Sequence, residues 1–345
     1  MNRGGSILIS GAGGCIGSAL AQSLAKSGAR KLILLDHAEH ELHEIEIALD
    51  AIEGSAPHVA ILGDICDGTL LAEVFDEHRP NVIYHAAAFK HVPMVEINPL
   101  AAVRNNIFGT LILAQAARRY EAVQLVMIST DKAVNPRSVM GVSKRIAELV
   151  LLRWNGIETQ MKSVRLGNVL GSRGSVAPLF QQQIARGGPV TVTHPDATRY
   201  FVTLREAVDL ILATGNLEGA VFVADFGEPV KIIDLARGMI RKAGFEPEVG
   251  MPIVFTELRR GEKLSEEMIF ASETVEPTED ARIQRVRGVA IAAEDFDSKL
   301  ALLAARLERR DTAALMVALA GIVPEYEPSE LLHGARRPLT RAAGK

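Results

Sequence analysis

The feature that most limits what this chain can fold into is a glycine-rich turn near its start. Ser10-Gly11-Ala12-Gly13-Gly14-Cys15-Ile16-Gly17-Ser18 stands between a short apolar run and the first amphipathic segment. Glycines in such a turn let the backbone reverse sharply and approach a pyrophosphate, which meets the unpaired N–H groups and positive dipole end of the next helix. The spacing is G-x-x-G-x-x-G at Gly11, Gly14 and Gly17, with Gly13 in addition, and so departs from the standard G-x-G-x-x-G. Context supplies what the spacing lacks. The second apolar run ends at Asp36, the distance at which a carboxylate accepts both hydroxyls of an adenosine ribose and repels a 2′-phosphate. NAD is therefore favoured over NADP. Cys15 and Ile16 lie where the helix passes under the cofactor, Cys15 serving as a small residue. After the third run, Asp64 and Ile65 are placed to flank the adenine. An Asp at a strand end also serves as a helix N-cap, and both readings of Asp64 stay open.

Runs at 6–10, 31–36, 59–62, 81–84, 124–129 and 162–166 are apolar without alternation, as strands are when a parallel sheet is covered on both faces. Between them, 16–27, 39–53, 67–77, 99–120 and 138–154 carry helical spacing. This alternation predicts an α/β fold, a Rossmann-type doubly wound parallel sheet, over residues 1–166. After Arg165 the chain becomes Gly-rich and Pro-punctuated, which predicts a smaller C-terminal substrate-binding lobe from 167–200 and 227–330. The stretch at about 201–226 is expected to rejoin the first domain. Helices are expected at 177–186, 204–214, 232–243, 295–307 and 312–320, and strands at 190–192, 221–224 and 253–256. A basic tail at 331–345 carries Arg336, Arg337, Arg341 and Lys345 and reads as a solvated run rather than a nucleic-acid site.

Composition removes several functional classes. With 48% hydrophobic and 23% charged residues, the chain has the balance of a globular protein rather than a disordered or fibrous one. Its longest apolar stretch, 313–323, falls short of the roughly 20 residues a membrane span needs, and no signal segment precedes the first strand. Two cysteines, Cys15 and Cys66, make no disulfide framework and no C-x-x-C pair, so a cytoplasmic location is expected and a metal is not. A net charge of −4 gives no general attraction to nucleic acid. His37, His40 and His43 recur at i, i+3 and i+6 without a fourth ligand and read as surface residues.

A polar cluster marks the strand ends where ligands of open α/β sheets bind: Ser129-Thr130-Asp131-Lys132, followed by Met140-Gly141-Val142-Ser143-Lys144 at the next helix start. With the glycine loop, it resembles the extended short-chain dehydrogenase/reductase superfamily, whose hallmark is a Ser/Thr, a Tyr and a Lys. Here Met140 occupies the Tyr position, and a thioether takes no proton from a hydroxyl. The segments 85–96, 130–136, Arg165-Leu166-Gly167-Asn168-Val169 and Arg260-Gly261-Glu262-Lys263-Leu264 narrow the likeness to the polysaccharide-biosynthesis UDP-N-acetylglucosamine 4,6-dehydratases, some of which carry Met there. The similarity covers roughly residues 6–328, and the chain looks like a soluble form of their catalytic domain.

The resemblance implies a tightly bound, recycled NAD and a UDP-sugar substrate. It further implies C4 oxidation, loss of water across C5 and C6, and hydride return to C6, giving a UDP-4-keto-6-deoxy-N-acetylhexosamine for surface polysaccharide or glycan synthesis. It also implies self-association into a homo-oligomer. Lys132 is then the base at C5 and Asp131 the acid at O6. Lys starts near 10.4 and Asp near 3.9, so each role needs a shifted pKa. Burial is expected to push both usefully, and Lys144 to depress Lys132 further. Lys144 would bind the nicotinamide ribose and Thr130 the sugar near O4. Met140 fills space, so the C4 hydroxyl needs another proton acceptor, a water relay or Asp131.

By the same resemblance, Ala86, Ala87 and Ala88 leave room for cofactor and Lys90 stands near the active site. Asn168, Gly174, Ser175 and Val176 form a substrate-binding stretch, and Arg199 and Arg259 grip the diphosphate, guanidinium forks matching phosphate oxygens. Glu262 holds ribose hydroxyls or caps the following helix. Asn106 reads as a buried structural amide. The alternatives are a nucleotide-sugar 4-epimerase or reductase, against which the Asp131-Lys132 pair argues, and a catalytically silent NAD-binding regulator, which Met140 keeps in play.

Overall fold

A computed structural model describes residues 4–172, 174–225, 227–288 and 295–328; the basic tail lies outside them. Six parallel strands build its centre: β1 (Ser6–Ser10), β2 (Lys31–Asp36), β3 (His58–Leu62), β4 (Val82–His85), β5 (Gln124–Thr130) and β6 (Gln160–Leu166). The full sheet runs Thr274–Pro277, Ile283–Arg287, Val221–Ala224, β6, β5, β4, β1, β2, β3. Strand order reverses at β1, whose neighbours are β2 and β4, so the crevice for a ligand opens where β1 and β4 end.

The continuous apolar runs follow from coverage on both faces. Ile7, Ile9, Leu32 and Leu34 point into one core, against α1 (Cys15–Leu24), α2 (Glu39–Asp50) and the helix Leu204–Thr214. Leu8, Ile33 and Leu35 enter the opposite core with Leu71, Val74 and Phe75 of α3 (Gly68–His78). Burying a side chain of this size contributes about 1.5–3 kcal/mol, so shifting any of these strands by one residue is heavily opposed.

Three arrangements differ from the sequence reading. The expected helix 99–120 is divided into Pro99–Ala102, a wider π-helical turn at Val103–Gly109, and Thr110–Arg119. The wider turn brings both Asn105 and Asn106 inside, where they find polar partners. A short helix, Val92–Ile97, was also hidden, because Pro93 and six residues of length leave little periodicity. Within 227–330, Thr274–Pro277 and Ile283–Arg287 form a hairpin on the main sheet, antiparallel to Val221–Ala224, which itself lies parallel to β6. The helices Phe296–Glu308 and Thr312–Ile322 likewise pack with Val139–Trp154 of the first body through Phe296, Leu300, Leu303 and Leu315. The smaller lobe has its own core of Phe180, Ile184, Val190, Val192, Ile232, Ile233, Ala236 and Ile240. No helix among the described residues is long and apolar enough to cross a membrane.

Candidate active site

The glycine loop is built for close backbone approach. Gly11 has φ +72°, and a Cβ there would lie 2.6 Å from the Ala87 nitrogen on the neighbouring strand end. A Cβ on Gly17 would collide with the Gly11 carbonyl oxygen. The N-cap of α1 is Gly14, which has no side chain to satisfy the first-turn amides, so these remain available to an anion. Asp36 Oδ2 accepts from Gly13 N–H at 2.9 Å and Oδ1 from Ala38 N–H at 3.0 Å, which ties the loop to the end of β2. Asp36, Gly11, Ile65 and Ala86, Ala87 and Ala88 line one pocket together with His37, Phe89 and Asn105. Asp64 faces a neighbouring groove instead, accepting from Cys66 N–H and pairing with Arg104 at 3.6 Å. The N-cap of α3 is Asp67, not Asp64.

Ala86, Ala88 and Phe89 also border a second cleft of about 310 Å³. Its walls include Cys15, Ile16, Lys90, Thr130, Lys132, Met140, Lys144, Asn168, Gly174 and Ser175. The two spaces adjoin, as an elongated dinucleotide followed by a substrate requires. Ser129, of the same polar cluster, is a wall residue too, as are His91 and Ser172, to which the sequence reading gave no role. His91 packs against Gly174, whose positive φ and contact with that ring both require glycine.

Charge is concentrated at the end of β5. Lys132 Nζ donates to Asp131 Oδ1 at 2.9 Å and to Asn168 Oδ1 at 3.2 Å, and lies 3.4 Å from Glu266 Oε1. Thr130 Oγ1 donates to Asp131 Oδ1 at 2.9 Å. Asp131 is fully buried behind this wall, and its Oδ2 has no partner among the described residues. Burial alone would lower the Lys132 pKa, but Asp131 and Glu266 outweigh it and raise it above the ordinary lysine value. That corrects the expectation of a depressed Lys132. The nearby cation opposing the shift is Arg199, not Lys144.

Lys144 behaves in the opposite way. It is buried, and desolvation lowers its pKa to about 8 against the support of Glu148 one turn on. Glu148 gives that support weakly because it is already engaged. It accepts from Ser129 Oγ at 2.6 Å, from Arg145 at 3.1 Å and from Arg165 through both oxygens. Met140 is buried in the first turn of Val139–Trp154, its sulfur side chain among apolar neighbours.

A buried polar chain at the switch point had no signal beyond its position. His85 Nδ1 lies 2.7 Å from Ser10 Oγ, and Nε2 lies 2.9 Å from Thr110 Oγ1. Since Thr110 donates its hydroxyl proton to Asn106 O, Nε2–H must donate to Thr110 and Nδ1 must accept from Ser10. Asn106 bonds the Phe89 N–H and C=O and donates to Ser143 Oγ, joining the cleft loop to the helix that carries Met140 and Lys144.

Several expected substrate contacts lie elsewhere. Arg199 donates to the carbonyls of Thr198, Lys263 and Leu264, so its fork binds backbone rather than facing the cleft. Glu262 accepts from Arg259 N–H at 3.1 Å and faces another groove, while the Arg259 side chain is mostly exposed beside it at 3.9 Å. Val176 starts the helix Val176–Ala185 and packs on the second lobe's core. His40 and His43 sit exposed beside Glu44 and Glu46.

Residues 7–288 match the family described as "Polysaccharide biosynthesis protein". Among individual relatives, the capsular polysaccharide biosynthesis protein CapD of Staphylococcus aureus is 49% identical over 77% of this chain, and the match spans 45% of CapD's own length. A UDP-glucose 4-epimerase of Rickettsia rickettsii is 32% identical over 80% of each chain. Of solved structures, Pen from Bacillus thuringiensis superposes with TM-score 0.71 at 28% identity, over 77% of this chain and 83% of that one.

Proposed function

The chain belongs to the polysaccharide biosynthesis protein family, and we propose that within it the protein is an NAD-dependent nucleotide-sugar 4,6-dehydratase acting on UDP-N-acetylglucosamine. The observation that carries this reading is the Lys132–Asp131 pair at 2.9 Å at the end of β5, Lys132 lining a cleft that adjoins the glycine-loop pocket and Asp131 lying directly behind it. Simple oxidation and reduction at C4 needs no acid and base at C5 and C6. The loop fits a dinucleotide: Gly11 and Gly17 leave no room for side chains, the α1 amides have no capping side chain and are open to an anion, and Asp36 lines the pocket where a ribose would lie. NAD, when bound, supplies the hydride acceptor and donor.

The chain's own groups handle the protons. Moving one proton along the Lys132–Asp131 hydrogen bond turns ammonium and carboxylate into amine and carboxylic acid, a base and an acid made together without exchange with solvent. Filling the cleft with substrate favours this neutral form, because desolvation penalises the charged one. Lys132 then takes the C5 proton and Asp131 protonates the departing O6, which restores the ion pair. Lys144, largely buried and with no side-chain hydrogen bond among the described residues, is left to hold ribose hydroxyls.

Proton NMR with UDP-N-acetylglucosamine and NAD in deuterated water tests the proposal. The expected product shows a C6 methyl group in place of the hydroxymethyl, with deuterium at C5. The Rickettsia relative keeps a second reading in view, a 4-epimerase. Inversion at C4 with the hydroxymethyl intact would establish that one and refute the dehydratase.

A further inference from the structure

We infer that Glu266 is a positioning residue of this centre: reaching across from the second lobe, it fixes Lys132 Nζ in the cleft and strengthens it as a base. The inference rests on the reading of Lys132 as the group that takes the C5 proton. Glu266 Oε1 lies 3.4 Å from Lys132 Nζ, and Glu266 is 6% exposed with Oε2 unpartnered among the described residues. A buried carboxylate in that state is costly unless a cation repays it, and Lys132 is the nearest, with Arg199 Nε behind at 3.8 Å.

The strap that carries Glu266 is held from several sides. Arg199 donates to the carbonyls of Lys263 and Leu264, Thr198 N–H bonds Leu264 O, and Lys263 Nζ donates to Val134 O two residues beyond Lys132. These bonds place the carboxylate against Lys132 independently of any ligand. They also explain what Arg199 does in place of gripping a diphosphate.

The chemistry needs such a group. A proton next to a ketone is weakly acidic, and a lysine whose desolvation is not outweighed by nearby anions becomes a weak base, as Lys144 does across the same cleft despite Glu148. Asp131 alone cannot supply the support, because it must itself become neutral to act as the acid. Glu266 is a second carboxylate beside Lys132, and it takes no part in the proton transfer. The titratable and charged groups around Lys132 are Asp131 on its own turn, Glu266 and Lys263 on the strap, Arg199 behind them, and Lys144, Lys90 and His91 on the other walls.

The test reads the lysine without turnover. Wild-type protein and Glu266→Gln are acylated with acetic anhydride across a pH series, and labelling of Lys132 and Lys144 is resolved by peptide mass spectrometry. Removing an anion within 4 Å is expected to lower the Lys132 midpoint by about 1–3 pH units and leave the Lys144 midpoint in place. An unmoved Lys132 midpoint overturns the inference. Wild type alone supplies a further refutation: Lys132 labelling at lower pH than Lys144 overturns the inference even if the variant does not fold. In turnover, the acid limb of kcat/KM should move down with the labelling midpoint, whereas a merely structural role would lower the rate without moving it. A wild-type protein that converts no nucleotide sugar would refute the dehydratase reading and leave the labelling result to decide Glu266.

Discussion

The buried His85 makes a prediction whose size can be worked out. Its ring is enclosed between Ser10 and Thr110, and burial, assisted by the Lys144 charge, lowers its pKa from 6.5 to about 3. The unfolded chain therefore binds a proton over a pH window in which the folded protein does not. Stability must fall as pH falls through the window from 6.5 to about 3, by about 1.4 kcal/mol per unit. At pH 5 the cost attributable to His85 is about 2 kcal/mol, a substantial part of the 5–15 kcal/mol typical of a folded domain. The assay is urea unfolding of wild type and His85→Gln at pH 7 and pH 5, without cofactor. At pH 7 the variant loses about 1–3 kcal/mol from broken hydrogen bonds. The informative quantity is the further loss between pH 7 and pH 5, which should be about 2 kcal/mol smaller in the variant. Other groups, including His78 with its lowered pKa, contribute to both proteins and cancel. Equal losses in the two proteins would show that His85 is not held neutral, and the proton assignment along Ser10, His85, Thr110 and Asn106 would fail with it.

Lys132→Ala should reduce dehydration by about 10²–10⁴-fold while NAD titration stays within a few-fold of wild type; undiminished turnover would remove Lys132 from the chemistry. NAD should bind at least about tenfold more tightly than NADP, because the Asp36 carboxylate that lines the glycine-loop pocket would repel a 2′-phosphate, and tighter binding of NADP in a calorimetric titration would overturn that assignment. Gly17→Ala places a methyl group on the Gly11 carbonyl, so it should cost about 1–3 kcal/mol in urea unfolding and weaken NAD binding together; a variant unchanged in both would mean that the loop is not tightly packed on α1.

Much of the framework could be read from local pattern, since periodicity and turn chemistry are local properties. Continuous apolar strands between amphipathic helices identified the doubly wound sheet, and the glycine loop with Asp36 pointed to a place where the structure has a pocket. Asp131, Lys132, Met140, Lys144 and Asn168 were legible because they fall on strand ends and a helix start that the fold must bring to one edge. What the pattern could not show were partners distant along the chain. Glu266 beside Lys132, Glu148 and Glu273 around Arg165, and His85 between Ser10 and Thr110 have no sequence spacing that signals them. Charge followed the same division. A lysine at a strand end reads from sequence as a group that burial will neutralise, yet the two carboxylates folded against Lys132 reverse the sign, while Lys144, twelve residues further along the chain, follows burial. Arg199 shows the converse: its residue type suggests phosphate, and the carbonyls of a strap some 65 positions later take its donors first. The sequence alone thus determined the sheet, the crevice and the residue types at its rim, because these depend on neighbours in the chain. Only the tertiary structure decided which of those residues are charged, paired or turned away, because that depends on which distant groups share their low-dielectric surroundings.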